Sequence, residues 1–199
     1  MAVQKVAISK LSFKPVSAEV WPDLEALFGE RGACGGCWCM YWRISRKEFN
    51  AQKGDGNKKA FKKIVKDGAV PGIIAYADGK PVGWCAVRPR EDYPVLDGSR
   101  ILKPVDEQPV WSIVCQFVLA PYRRQGVSAK LLEAVVKHVK KQGGKIVEGY
   151  PHDPKTDQPA AFVWTGLAPA FLEAGFEEVA RRSATRPIMR YVIQAERRK

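Results

Sequence analysis

The chain has 199 residues, 46% of them hydrophobic and 27% charged, and 33 lysines and arginines against 21 acidic residues give it a net charge of +12. That balance suits one globular domain with a full core and excludes a disordered or fibrous chain. No apolar run approaches the roughly 18 residues of a membrane span, and Met1–Lys5 carries no apolar leader region, so the expected compartment is the cytoplasm.

In chain order, Val6–Lys14 predicts a first strand. Trp21–Phe28 predicts a helix, with Pro22 near its start and Leu24, Leu27 and Phe28 on one side. Arg31–Arg43 is a loop or helix start rich in cysteines and aromatic residues. Helical patterns follow at Glu48–Gln52 and at Asn57–Lys66, the second with Phe61, Ile64 and Val65 as its apolar face. Ile73–Ala77 and Pro81–Val87 read as a hairpin across Asp78-Gly79, a type I′ turn signal. Pro89–Val105 is a long connection. Val110–Val118 reads as a buried strand, Pro121–Ser128 as a turn and Ser128–Gln142 as an amphipathic helix with the stripe Leu131, Leu132, Val135, Val136 and Val139. Lys145–Tyr150 is a second buried strand. A polar loop, Pro151–Pro159, leads to a short helix, Leu167–Ala174, closed by Gly175. Glu177–Arg181 and Pro187–Val192 finish as strands. With no repeat and no linker, residues 1–199 read as a single domain, its core over 5–195 and its tail basic.

The turn between the buried strand and the amphipathic helix reads Arg123-Arg124-Gln125-Gly126-Val127-Ser128. A strand that passes into a helix through such a turn aims several backbone N–H groups at one spot, and the helix dipole adds partial positive charge there. Gly126 lets a ligand approach the backbone closely, and two arginines add charge-assisted donors. The pattern predicts an anion site for a nucleotide-like molecule.

Gln116-Phe117-Val118 followed by Tyr122-Arg123-Arg124-Gln125-Gly126-Val127-Ser128 resembles the acyl-CoA motif of the GNAT superfamily of N-acetyltransferases. The family's signature is Arg or Gln, two residues, Gly, one residue, then Gly or Ala. Arg123 and Gly126 match it, whereas Ser128 departs from it, a small residue whose hydroxyl would cap the helix. Ala170-Phe171-Leu172-Glu173-Ala174-Gly175-Phe176 resembles the family's late helix, which ends in Gly-Phe. The resemblance implies an α/β (α+β) GNAT fold, a mixed central sheet whose two parallel strands splay apart, flanked by helices. It also implies acetyl-CoA as co-substrate. The pantetheine arm would pair with Gln116, Phe117 and Val118. The pyrophosphate would lie on the backbone of Arg124, Gln125, Gly126, Val127, Ser128 and Ala129, beside Arg123. The thioester would point between Cys115–Val118 and Val147–Tyr150.

Acyl transfer to an amine needs a proton acceptor for the amine and a donor for the developing oxyanion, which a backbone N–H of the splayed strand can be. In this family a late-helix tyrosine often protonates the departing thiolate. Phe171 stands at that position and cannot. The candidates for proton transfer are therefore Glu148, Tyr150 and His152. Glu148 lies among apolar strand neighbours, where a carboxylate is either functional or paired with an arginine. Tyr150 points to the same side by strand alternation and is either the thiolate's acid or packing. His152, on a loop, is either a base or exposed.

Cys34, Cys37 and Cys39 invite a metal reading, but a structural zinc takes four ligands and no second pair accompanies them, so no metal is expected. Five cysteines, an odd number, predict free thiols. Trp38, Tyr41 and Trp42 are an aromatic wall for the acceptor or core packing. The lysines of 53–67 and the arginines 181, 182, 186, 190, 197 and 198 read mostly as solvated surface. No nucleic-acid-binding signature accompanies them, which disfavours a nucleic-acid partner. The reading is an acyl-CoA-dependent N-acyltransferase acting on a small-molecule or peptide amine by direct attack in a ternary complex, with a homodimer as a possible assembly. The alternative is a CoA-binding sensor or partner-binding module of the same fold without catalysis.

Overall fold

The computed structural model describes residues 4–194. Seven strands form one mixed sheet: β1 (Leu11–Pro15), β2 (Gly72–Ala77), β3 (Lys80–Pro89), β4 (Trp111–Val118), β5 (Ile146–Gly149), β6 (Glu177–Arg181) and β7 (Pro187–Val192), in the order β1-β2-β3-β4-β5-β7-β6. Only β4 and β5 run parallel. Five helices cover the sheet: α1 (Trp21–Phe28), α2 (Arg46–Ala51), α3 (Asp55–Lys66), α4 (Val127–Lys141) and α5 (Ala168–Glu173).

Each face of the sheet buries its own apolar cluster. One cluster joins Leu24, Phe28, Phe61 and Val65 of α1 and α3 to Ile74, Trp84, Val114 and Ile188. The other joins the predicted α4 stripe and Phe171 of α5 to Ile73, Cys85, Ile113, Val147 and Met189. Continuous burial of β2 and most of β3 follows from helices on both faces. Asp78 and Gly79 adopt positive φ of 49° and 82°, as the predicted two-residue turn requires.

Several boundaries depart from the sequence expectations. Residues 6–10 are not strand: Val6 N–H donates to Pro121 O, while Ser9 and Lys10 N–H donate to the Asp78 carboxylate. Helix α2 begins before Glu48 because Ser45 and Glu48 form a capping box. The connection after β3 contains two short 3₁₀ turns, Arg90–Asp92 and Pro94–Leu96. Helix α5 ends in a Schellman arrangement: Phe176 N–H donates to Phe171 O and Gly175 N–H to Leu172 O, with Gly175 at φ 84°. Arg197, Arg198 and Lys199 lie outside the described residues.

Two features open the centre of the sheet. Strands β4 and β5 pair only at Trp111↔Val147, Ser112↔Glu148 and Ile113↔Gly149 and then part. At that point β4 carries a bulge against β3: Ala86 faces Cys115 and Val87 faces Ile113, which leaves Val114 as the extra residue.

Candidate active site

Beyond the bulge, alternation decides which backbone groups face the gap. Leu119 N–H donates to Val82 O in β3. Residues 117 and 119 therefore face β3, and residues 116 and 118 face the gap. Of the three residues expected to line this edge, Phe117 is accordingly turned towards Trp84 of β3. Gln116 N–H already donates to Trp164 O at 2.7 Å, and Val118 O accepts from Arg123 Nε at 2.7 Å. That leaves Gln116 C=O and Val118 N–H to pair with an incoming amide. The Gln116 side chain donates to Ser128 O at 3.2 Å and so ties the strand to the first turn of α4.

The turn itself has the geometry of an anion cradle. Arg124 and Gly126 both take positive φ, 57° and 73°, and such alternation turns successive N–H groups inward. Among the described residues, the N–H groups of 124–129 have no protein acceptor, whereas Lys130 N–H closes on Gly126 O. A Cβ built on Gly126 would meet nothing within 4 Å, so the space above the turn is open. The helix starts at Val127 with Gly126 as its N-cap and no side chain capping it, so the cap expected from Ser128 does not form. Arg124 is free in solvent apart from Asp157 at 3.8 Å. The Gln125 side chain turns away to Pro121 O and Val6 O, which leaves only its N–H in the cradle. A pyrophosphate fits this donor set.

Across the gap, the predicted proximity of Glu148 and Tyr150 holds: Tyr150 donates to Glu148 Oε1 at 2.7 Å. Both are 1% exposed and belong to a buried ionic network. Arg190 Nε donates to Glu148 Oε2 at 2.7 Å, and its two Nη atoms hold Asp106. Arg90 donates to the Tyr150 hydroxyl at 2.7 Å and approaches Glu148 Oε1 at 3.5 Å, while also holding Asp97 and Leu102 O. Ser112 Oγ lies 2.9 Å from the same hydroxyl. Burial, and then the Glu148 charge, push the Tyr150 hydroxyl well above its ordinary range. The hydrogen bonds from Arg190, first among its causes, hold Asp106 at about 2. A carboxylate with two guanidinium partners, closed off from solvent, is poorly placed to meet an amine. The ion-pair reading of Glu148 is the one its surroundings favour. Arg190, expected on the solvated surface, is inside instead.

His152 is half-buried at the end of β5. Its Nε2 accepts from Arg186 Nη1 at 3.1 Å, which places the ring proton on Nδ1. Burial and then the Arg186 charge lower its pKa to about 4, so it is neutral at pH 7. The chain crosses the gap at Trp164–Leu167: Trp164 O takes the Gln116 N–H, Gly166 O takes the His152 N–H, and His152 bridges Leu167. Phe171 fills the floor of the wedge. A Cβ on Gly149 would come within 2.2 Å of its ring, so glycine is required for this close approach.

The aromatic wall is composed differently from the expectation. Trp38 and Cys39 both adopt positive φ, 45° and 54°, and the turn drives Trp38 inward against Trp21 and Phe28, where it is 2% exposed. Trp38 is core and drops out of the wall. Tyr41 and Trp42 remain half-buried, and Trp164 joins them with ring centroids 5.2 and 6.0 Å away. Cys39 is buried and accepts from Trp84 Nε1 at 3.1 Å, and burial raises the Cys37 thiol to about 12. Among the described residues all five cysteines are free and no group of three or more His, Cys, Asp or Glu could hold a metal. None of the described helices is long and apolar enough to cross a membrane.

The sequence matches the model of the acetyltransferase (GNAT) family over residues 38–160, more than half of the chain. No curated protein matches it significantly. Among solved structures, it is similar to the PaiA N-acetyltransferase of Thermoplasma acidophilum in complex with coenzyme A, with TM-score 0.51 at 15% identity, covering 92% of this chain and 99% of the other. A putative acetyltransferase of Salmonella typhimurium, with its cofactor acetyl-CoA, gives TM-score 0.54 at 12% identity, covering 94% and 96%. A ribosomal-protein-alanine N-acetyltransferase of Brucella melitensis gives 0.51 at 14%, covering 92% and 99%. At these identities the likeness is one of fold.

Proposed function

Since the chain belongs to the GNAT acetyltransferase family, we propose that it transfers an acetyl group from acetyl-CoA to an amine by direct attack in a ternary complex. The observation that carries this reading is the set of N–H groups of 124–129 without a protein acceptor, next to a strand edge left open by the splay. Acetyl-CoA would supply an activated acyl group as its thioester. The cradle of 124–129 and Arg124 would bind its phosphates, and Gln116 C=O and Val118 N–H its amide-bearing arm.

The proton acceptor fits His152 better than Glu148 or Tyr150, because of the three it alone is half-exposed at the gap. The amine nitrogen bonds to the acyl carbon, its proton passes to His152 Nε2, and the C–S bond breaks with its electron pair on sulfur. The thiolate leaves as the anion and takes its proton from water, to which His152 returns the proton it accepted, since Phe171 has none to give.

The test is two-substrate kinetics with acetyl-CoA over an amine panel. Intersecting double-reciprocal lines are expected for a ternary complex, and His152→Gln should lower kcat by about 10²-fold with unchanged acetyl-CoA affinity. Tight CoA binding with no acetylated amine would favour the non-catalytic reading that the missing late-helix tyrosine keeps open. Full activity in His152→Gln would leave proton removal to water.

A further inference from the structure

Among the described residues, Arg186 is a half-buried cation without a counter-ion. Its neighbours in the network each have one: Arg90 has Asp97 and Glu148, Arg190 has Asp106 and Glu148, and Arg181 has Glu178 and Asp153. Arg186 donates only to His152 Nε2 and to Tyr150 O, both at 3.1 Å. Among the described residues no carboxylate pairs with it, and its Nε is buried without an acceptor. The Nε1 of Trp42, in the aromatic wall, is a second buried donor without one. A desolvated guanidinium left unpaired is costly, and a ligand that supplies the charge recovers that cost.

Arg186 lies on the β6–β7 connection and contacts Tyr150 O, just past the end of β5. Tyr41, Trp42 and Trp164 form the wall; the segment that carries Trp164 takes the N–H of His152, the partner of Arg186, on Gly166 O, and Trp164 O is bonded to the splayed strand itself. Arg46 already covers Tyr41 at 3.7 Å, so the ring is not waiting for a second cation. The wall therefore suits hydrocarbon. With His152 neutral and Arg46 seated on the ring of Tyr41, Arg186 is, among the described residues, the one half-buried cation here that lacks a carboxylate, which matches a single carboxylate.

Building on the acetyl-transfer reading above, we propose that the acceptor is a free amino acid with an apolar side chain, its carboxylate held by Arg186 and its side chain by Tyr41, Trp42 and Trp164. Engagement of Arg186 by the carboxylate draws its fork away from His152 Nε2. The lone pair that takes the amine proton is thereby released only when an acceptor is in place.

Wild-type protein is assayed with L-leucine and L-phenylalanine against their decarboxylated counterparts, 3-methylbutylamine and 2-phenylethylamine. Acetylation is measured as kcat/KM, and binding without acetyl-CoA as the change in tryptophan fluorescence. The acids should exceed the matched amines at least tenfold in both readouts, and Arg186→Gln should bring the ratio towards one. Amines acetylated as well as or better than the acids, or acetylation confined to lysine side chains or peptides, would overturn the proposal while leaving acetyl transfer standing. Tenfold tighter binding of the acids with no acetylation of anything would uphold the carboxylate site and sink acetyl transfer instead. Absence of any acid-dependent fluorescence change would also overturn it. The acid–amine comparison needs no variant, so a misfolded Arg186→Gln cannot shield the proposal.

Discussion

The two sides of the splay are built from different materials. The proposed cofactor side is backbone: the N–H groups of 124–129 and the edge atoms of Gln116 and Val118, all within one strand–turn–helix unit. The proposed acceptor side is side chains drawn together across the fold. Arg190 and Asp106 meet over 84 positions of sequence, and Arg90 and Tyr150 over 60. A backbone site depends on φ, ψ and local space, and so survives most substitutions except those at its turn. A side-chain site depends on balanced burial and charge, and the loss of one member strands the others.

The largest expected effect follows from that balance. Glu148→Gln removes the anion shared by two buried guanidiniums, and should destabilise the fold by about 3 kcal/mol, a fall in Tm of about 6–12 °C. Acetyl-CoA affinity should be kept, because the cradle lies on the other side. Thermal melts together with kcat per folded molecule decide the matter. An unchanged Tm with kcat down by about 10²-fold or more would make Glu148 the base and blur the division between the two sides.

On the cofactor side the informative substitution is Gly126→Asn. Valine at φ 73° would strain the turn by itself, whereas asparagine tolerates the left-handed region. The Asn side chain enters the open space over the N–H cluster. Acetyl-CoA affinity should fall at least tenfold, about 1.4 kcal/mol, with little change in Tm. Calorimetry showing unchanged affinity in a folded variant would dismiss the cradle.

The same contrast decides what the sequence reveals. The anion turn is legible because a single stretch, 123–128, carries both its conformation and its chemistry, and the α4 stripe because a helix repeats locally. The late-helix Phe171 is legible as a residue that cannot donate a proton, and its position under Gly149 agrees. Arg90, Arg186 and Arg190 are not legible, since an arginine in a basic chain reads as surface unless its partners are known. Trp164 takes the place in the wall that the sequence offers to Trp38 for a similar reason. Composition marks both as aromatic, but only the backbone turn at 38–39 and the crossing of the gap at 164 decide which is buried. The departure of residues 6–10 from strand is likewise non-local, fixed by the Asp78 carboxylate and Pro121 O.

The smallest effect tests the acceptor side through its histidine. His152 has a folded pKa of about 4, below the roughly 6.5 of a histidine in an unfolded chain. Between these values the unfolded state binds a proton that the folded state refuses, so stability falls as pH drops through this window and is restored as pH rises above it. Replacing His152 by Gln should flatten the dependence of Tm on pH between about 6.5 and 4, the window set by that shift. The flattening is partial, because burial also lowers the pKa of His138 on α4, and that residue keeps its own share in the variant. Adding L-leucine to wild-type protein should act in the opposite direction to acid. A carboxylate on Arg186 offsets the cation that helps hold His152 neutral, so the folded pKa rises towards the unfolded one and the slope shrinks without any mutation. A slope in wild-type protein that ignores the amino acid, alongside one that the variant does abolish, would separate the histidine from the carboxylate site and leave the two as unconnected features of the same wall.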